Sequence, residues 1–145
     1  MIRTALVVAM LAFGATALVA QSDPIAARKS LMKANGDQSK LATDMLEAKQ
    51  PFNLDAAKMV FATFAEAGEK APALFPDDSK SGGETAALPA IWENKADFTA
   101  KLAKFASDAK AAAAATKDFD SFKIQITEVR KNCGGCHQTY RKKTS

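Results

Sequence analysis

Residues that favour strands are scarce in this sequence: 145 residues include one tyrosine, one tryptophan and few valines. No stretch alternates apolar and polar positions over a useful length, so a sheet is not expected. Histidine occurs once and cysteine twice, which leaves no room for a zinc site of four nitrogen and sulfur ligands. Charge of neither sign dominates. Twenty Lys and Arg stand against 16 Asp and Glu, a formal +4. No platform of interleaved aromatic and basic residues accompanies them, so nothing points to nucleic acid.

Apolar runs are short as well. Thr4 to Val19 carries no charge, but its 16 residues fall below the roughly 20 that cross a bilayer as a helix. With Met1-Ile2-Arg3 before it and small residues at Ala15, Ala17 and Ala20, it reads as a secretory signal peptide over residues 1–20. Cutting is expected after Ala17 or Ala20. The location expected is the periplasm, with no membrane anchor left. Loss of Arg3 leaves 19 basic against 16 acidic residues, a net +3. Residues 21–145 are of a size for one domain with one core.

The remainder is patterned for helices. The first opens near Ser22-Asp23-Pro24, a capping side chain followed by proline in the first turn. Ile25, Arg28, Leu31, Met32, Asn35, Leu41, Ala42 and Met45 recur at threes and fours. The stripe resumes beyond Asn35-Gly36, so one long helix is expected, tolerating Gly36 at about 1 kcal/mol. Gln50-Pro51-Phe52-Asn53 makes a turn with Asn53 as cap. A second helix runs from about Leu54 to Lys70, with Leu54, Ala57, Val60, Phe61, Phe64 and Ala67 on its apolar face, and Pro72 ends it. Ala73 to Pro89 collects prolines, glycines and polar residues into one long loop, and loops of this length are often functional or mobile. A third helix starts at Pro89-Ala90 and carries Ile91, Trp92, Phe98, Leu102, Phe105 and Ala109 into the alanine run 111–115. A fourth follows Thr116-Lys117-Asp118, with Phe119, Phe122, Ile126, Val129, Cys133, Cys136 or His137, and Tyr140 in line. Short connections and one longer one fit an all-α, antiparallel up-down-up-down four-helix bundle.

The fourth helix closes on Cys133-Gly134-Gly135-Cys136-His137. C-x-x-C-H is the attachment signal for a c-type haem. Two thiols form thioethers with the porphyrin vinyl groups, and the next residue offers an imidazole to the iron. Positions i, i+3 and i+4 share one helix face, so both sulfurs and the ring can reach one flat ligand. Any imidazole–iron bond must use His137. A thioredoxin-like pair would open a helix in a βαβ setting, whereas this motif ends a helix with no strand nearby. A structural disulfide is the remaining alternative. Because the motif shares the face that buries the phenylalanines, haem c, one per chain, belongs inside the bundle.

Four stretches follow one another in a specific order: Arg28-Lys29-Ser30-Leu31-Met32-Lys33-Ala34-Asn35-Gly36, Leu74-Phe75-Pro76, Pro89-Ala90-Ile91-Trp92 and Cys133-Gly134-Gly135-Cys136-His137-Gln138-Thr139-Tyr140-Arg141. Together they resemble the class II c-type cytochromes, the cytochrome c′ family, over the whole chain beyond the leader. That family divides over the sixth iron ligand. In its high-spin branch an apolar side chain of the first helix closes the distal face, and five-coordinate iron binds nitric oxide or carbon monoxide. In its low-spin branch a first-helix methionine ligates the iron and the protein carries electrons. Met32 falls at that distal position, and Leu31-Met32-Lys33 followed by Asn35-Gly36 looks most like the low-spin branch. The resemblance therefore implies His137 and Met32 as axial ligands. The plainer reading of Met32 is a core residue over an open distal site.

Other residues follow from the same likeness. Arg28, one turn before Met32, is implied to pair with a haem propionate, against the plainer reading of a solvated first-turn arginine. Arg141 either covers the proximal side of the haem or, with Lys142 and Lys143, complements the negative end of the fourth helix. Met45, roughly 20 Å along the helix from Met32, and Met59 are assigned to the core. Trp92 is read as a packing anchor, Tyr140 as a contact of the haem edge or packing alone. The expected function is a one-electron carrier cycling Fe(III) and Fe(II), with nitric oxide or carbon monoxide binding as the alternative. Redox partner proteins are implied, and Arg130, Lys131, Arg141, Lys142 and Lys143 would steer an acidic one. A homodimer through the first two helices is compatible with the resemblance, as is a monomer. With the only histidine committed, no nucleophile–histidine–acid set can form, so no enzyme is expected.

Overall fold

Asp23 opens the first helix: its carboxylate accepts the Ile25 N–H at 2.8 Å, and Pro24 takes the first helical position, where an N–H would lack a partner. In the computed structural model, which describes residues 23–143, α1 then runs Pro24–Leu46 without a break at Gly36. The expected signal peptide lies outside the described residues. Asn53 caps α2, Leu54–Lys70, by accepting from Ala56 N–H at 2.8 Å. Two 3-10 turns, Ala71–Leu74 and Asp77–Ser79, lead through the long loop. The reciprocal bonds of Asp118 and Ser121 form a capping box that starts α5, Phe119–Tyr140. Among the described residues no strand occurs, and the architecture is the expected helical bundle.

The third expected helix is divided. α3, Ala90–Glu93, is a single turn, and α4, Lys95–Ala115, follows it. Asn94, at φ −125° and ψ 49°, joins them: its N–H closes α3 on Ala90 O, and its carbonyl receives Phe98 N–H. Tertiary contacts account for the break. Ile91 is buried, and the Trp92 indole N–H reaches the carbonyls of Phe75 and Pro76, so the loop holds this turn off the axis of α4.

α2 and α4 form the most extensive pair, α5 packs on α4, and α1 packs on α2. Gly68 shows why the first pair is so close. A Cβ there would stand 2.8 Å from Leu102 O and 2.9 Å from both Ala106 N and Ala106 Cβ. One core cluster gathers Met45, Phe61, Phe64, Phe105, Phe122 and Ile126, and a second gathers Phe75, Ile91, Phe98, Leu102 and Tyr140. Met45 is thus core, but Met59 is 60% exposed. The stripe Ala57, Val60, Phe61 and Phe64 faces the core, and Met59 projects off it, so its assignment to the core is corrected.

The long loop is stitched at both sides. Leu88 N–H reaches Tyr140 O, Lys142 N–H reaches Ala86 O, and Ala87 bridges Arg141. Gly82 and Gly83 take φ of +92° and +53°, a region open to glycine at little cost. The turn they make places the loop against Ile25 of α1.

Candidate haem site

Between the helices lies a cavity of about 420 Å³, inside the range of small-molecule and cofactor sites, roughly 300–1,000 Å³. Its wall brings together every candidate residue of the sequence: Cys133, Cys136 and His137 from α5, Met32 and Arg28 from α1, and Arg141 just past α5. Phe64, Phe98, Leu102 and Phe105 supply apolar lining. Arg130 of α5 ties that helix to α1, donating to Thr43 Oγ1 and to the carbonyl of Ser39, a residue of the cavity wall.

The thiols and the imidazole share a half-buried setting. Burial pushes both Cys133 and Cys136 above the ordinary thiol value, so they are neutral thiols at pH 7. The low-pKa nucleophile of a disulfide oxidoreductase is absent from this pair. Both cysteines are free. Burial first, and the charge of Arg141 second, hold His137 below its usual value. It is therefore neutral at pH 7, the form that offers a nitrogen lone pair to a metal.

Charge in the wall has one sign. Arg28, Lys29, Lys101 and Arg141 border the cavity, and among the described residues no carboxylate does. Arg28 is 6% exposed, not a solvated first-turn arginine. Its Nη1 donates to Leu74 O at 3.0 Å and Ser79 Oγ at 2.8 Å, its Nη2 to Ser79 O at 3.1 Å and Thr85 Oγ1 at 3.2 Å. The guanidinium also lies 4.7 Å from the Phe75 ring centre and 5.8 Å from that of Trp92. Burial lowers its pKa, and the charge of Asp23 opposes this. Tyr140 is buried, stacks edge-on to Phe98 and donates to the Asp97 carboxylate. That bond pushes the phenol up to about 12 and, with Lys101, holds Asp97 down.

Met32 is 39% exposed and lines the cavity, so it is not a packed core residue. Near it on α1, Gly36 has no atom within 4 Å of where a Cβ would stand, and Asn35 Oδ1 is buried without a partner. Several contributors had no signal in the sequence. Ser79 and Thr85 grip Arg28 from the loop, Asp97 anchors Tyr140, and Lys29 and Lys101 join the cationic rim. Polar loop residues and helix-surface charges of these kinds are too common to single out without the fold.

A four-helix bundle with two neutral thiols, a neutral imidazole and only cations around one apolar cavity defines a haem-binding protein of the c type. The description cytochrome c′ belongs to the family model that matches residues 23–141, and the chain belongs to that family. It is 42% identical over 144 residues to a cytochrome c′ of Rhodopseudomonas palustris, covering 99% of each chain. To a cytochrome c-556 of the same organism it is 31% identical over 147 residues, again covering 99% of each. The solved structure of the R. palustris cytochrome c′ superposes with a TM-score of 0.83 at 44% identity, over 86% of this chain and 100% of that one. Members carry covalently bound haem c, and the donor set here fits it.

Proposed function

We propose that this chain is a periplasmic one-electron carrier in which Cys133 and Cys136 hold haem c through thioethers, with His137 and Met32 as its axial ligands. When bound, the haem supplies the Fe(III)/Fe(II) couple. The protein residues hold and tune it. One observation carries the reading: Met32 from α1 and His137 from α5 line the same cavity, with Met32 open to it. A thioether opposite an imidazole stabilises the reduced state and raises the potential. With no carboxylate in the wall, Arg28 and Arg141 are the natural counter-charges for two propionates, Arg28 through its charge and its remaining Nε–H, since both Nη groups are held by the loop. Held there, the propionates would lie beside the stitched loop. Redox partner proteins with acidic surfaces are the expected clients, and the leader expected at residues 1–20 accounts for the location. No described helix is long and apolar enough to cross a membrane.

The second reading is a five-coordinate site that binds nitric oxide or carbon monoxide, with Met32 as a distal cover. The 42% identity to a cytochrome c′ favours it, as the likeness to cytochromes c-556 favours the first. Visible spectra of the matured protein, oxidised and reduced, with and without carbon monoxide, decide between them. A low-spin spectrum with a weak far-red methionine-to-iron band, lost in Met32→Ala, is the expected result. A high-spin spectrum that shifts at once with carbon monoxide would overturn methionine ligation and put gas binding first.

A further inference from the structure

Two glycines of α5 have no role in how the folded chain packs. Gly134 and Gly135 lie inside the helix, between the two cysteines, and both are exposed. Neither takes a positive φ, neither borders the cavity, and neither has an atom within 4 Å of where a Cβ would stand. Gly68, by contrast, is required by the approach of α4, and Gly36 borders the cavity. In a helix interior glycine is less favoured than alanine by about four- to fivefold, so the pair weakens this turn roughly twentyfold. Little else holds it. The Asn132 amide donates to Asp108 of α4 at 2.9 Å, and among the described residues the next side-chain hydrogen bond on α5 is that of Tyr140 to Asp97. No residue between Val129 and Tyr140 is buried. Segments so lightly packed open locally while the rest of a protein stays folded.

The closed turn also hides its reactive atoms. Cys133 and Cys136 line the cavity, half-buried at the edges of the two core clusters, while solvent meets Gly134, Gly135, Gln138 and Thr139. A protein that joins this chain to haem from outside must hold both thiols against the two vinyl groups. We propose that the Gly134–Gly135 turn opens locally, between ends fixed at Asn132 and Tyr140, to present Cys133, Cys136 and His137 outward for haem attachment, and winds back over the cofactor afterwards. The inference rests on the reading of Cys133 and Cys136 as thioether cysteines, not on the ligation of Met32. Residues 133–139 span about 10 Å as helix and over about 20 Å extended, so unwinding between fixed ends bulges them away from the cavity. The chemistry is an addition. Each S–H bond breaks, sulfur bonds to the vinyl carbon beside the ring, and the hydrogen goes to the outer carbon, so neither oxidant nor reductant is consumed. The partner that fits is a protein that grips an extended C-x-x-C-H segment.

The test uses the full chain, expressed with its leader in a bacterium that makes c-type cytochromes, and the purified chain before haem loading. Three variants are compared with wild type: Gly134→Ala/Gly135→Ala, Gly134→Asn/Gly135→Asn, and Thr127→Ala as a control on α5 upstream of Val129. The readouts are the rate at which pulse-labelled chain gains haem that survives denaturing acid extraction, amide hydrogen exchange at residues 133–137 of the unloaded chain, and Tm of the loaded protein. The alanine pair should slow attachment and exchange by about ten- to twentyfold, as its helix propensity sets, while raising Tm. The asparagine pair, bulkier than alanine but a poorer helix former, should fall between wild type and the alanine pair, and Thr127→Ala should match wild type in both rates. Unchanged attachment in the alanine pair overturns the inference, and so does a lower Tm, since the glycines would then serve the fold. Attachment slower with asparagine than with alanine overturns it as well, because side-chain bulk would then govern the rate. An unloaded wild-type chain whose amides all exchange as in an unfolded chain overturns it too, since nothing would remain to open. Wild-type chain that gains no covalent haem overturns the thioether reading and this inference together.

Discussion

Replacing Arg28 tests how the long loop is held against the cavity. Four N–H groups of one guanidinium reach Leu74 O, Ser79 Oγ, Ser79 O and Thr85 Oγ1. Hydrogen bonds to a charged group contribute about 1.5–3 kcal/mol each, but four of them do not add. Ser79 Oγ keeps its bond to Pro76 O at 2.8 Å, and the loss of the guanidinium also removes its own desolvation cost. Leu74 O and Ser79 O are the acceptors left short, together with the ring contacts to Phe75 and Trp92. The net loss for Arg28→Leu is then about 3 kcal/mol. For a chain of this size that lowers Tm by roughly 10–15 °C. Arg28→Lys, which cannot reproduce the fork, should lose about 2 kcal/mol. Urea unfolding of the haem-loaded protein measures both, and amide hydrogen exchange locates the change: Ser79 and Thr85 should lose protection well before α2 or α4. A change below about 0.5 kcal/mol, within the usual range for exposed surface substitutions, with loop protection intact, would refute this account of Arg28.

Two further perturbations address the bundle. Gly68→Ala should destabilise by about 1–2 kcal/mol in thermal melts, because overpacking against the backbone of Leu102 and Ala106 outweighs a helix-propensity gain of about 1 kcal/mol; a stabilised variant would show that α2 and α4 separate freely. Tyr140 has a folded pKa raised to about 12, so the stability it contributes is complete below its unfolded value and is lost as pH rises from about 10 through about 12. Tyr140→Phe should flatten that alkaline decline, and a melt series from pH 9 to about 12 that matches wild type would sink the Asp97 bond as its cause. Asp97, held low chiefly by the same bond, adds stability above the ordinary carboxylate range that is lost as pH falls through its depressed value, and Tyr140→Phe should lessen that acid loss as well.

Helix ends were legible because capping is local. Asp23, Asn53 and Asp118 each accept from a backbone N–H two or three residues on, as their sequence positions suggest. The haem motif was legible for the same reason, since i, i+3 and i+4 fix a shared face before any tertiary contact forms. The break at Asn94 was not, because it depends on Trp92 meeting two carbonyls 16 and 17 residues earlier in the chain. Met59 misled because a methionine among phenylalanines and alanines has the composition of a core, while its angular position takes it outside. The grip on Arg28 joins residues 46 to 57 apart in sequence, and no local pattern encodes such a separation.

The close contact at Gly68 divides labour within the molecule. The tightest helix pair, α2 and α4, carries none of the side chains assigned to the metal; those stand on α1 and α5. On the proposed ligation, a change of charge at the metal would act on α1 and α5, while α2 and α4, in close contact at Gly68, would hold their packing. For the proposed electron carrier, such an arrangement would keep the nuclear rearrangement that accompanies each electron small, and small rearrangement is what lets an electron pass quickly at little driving force.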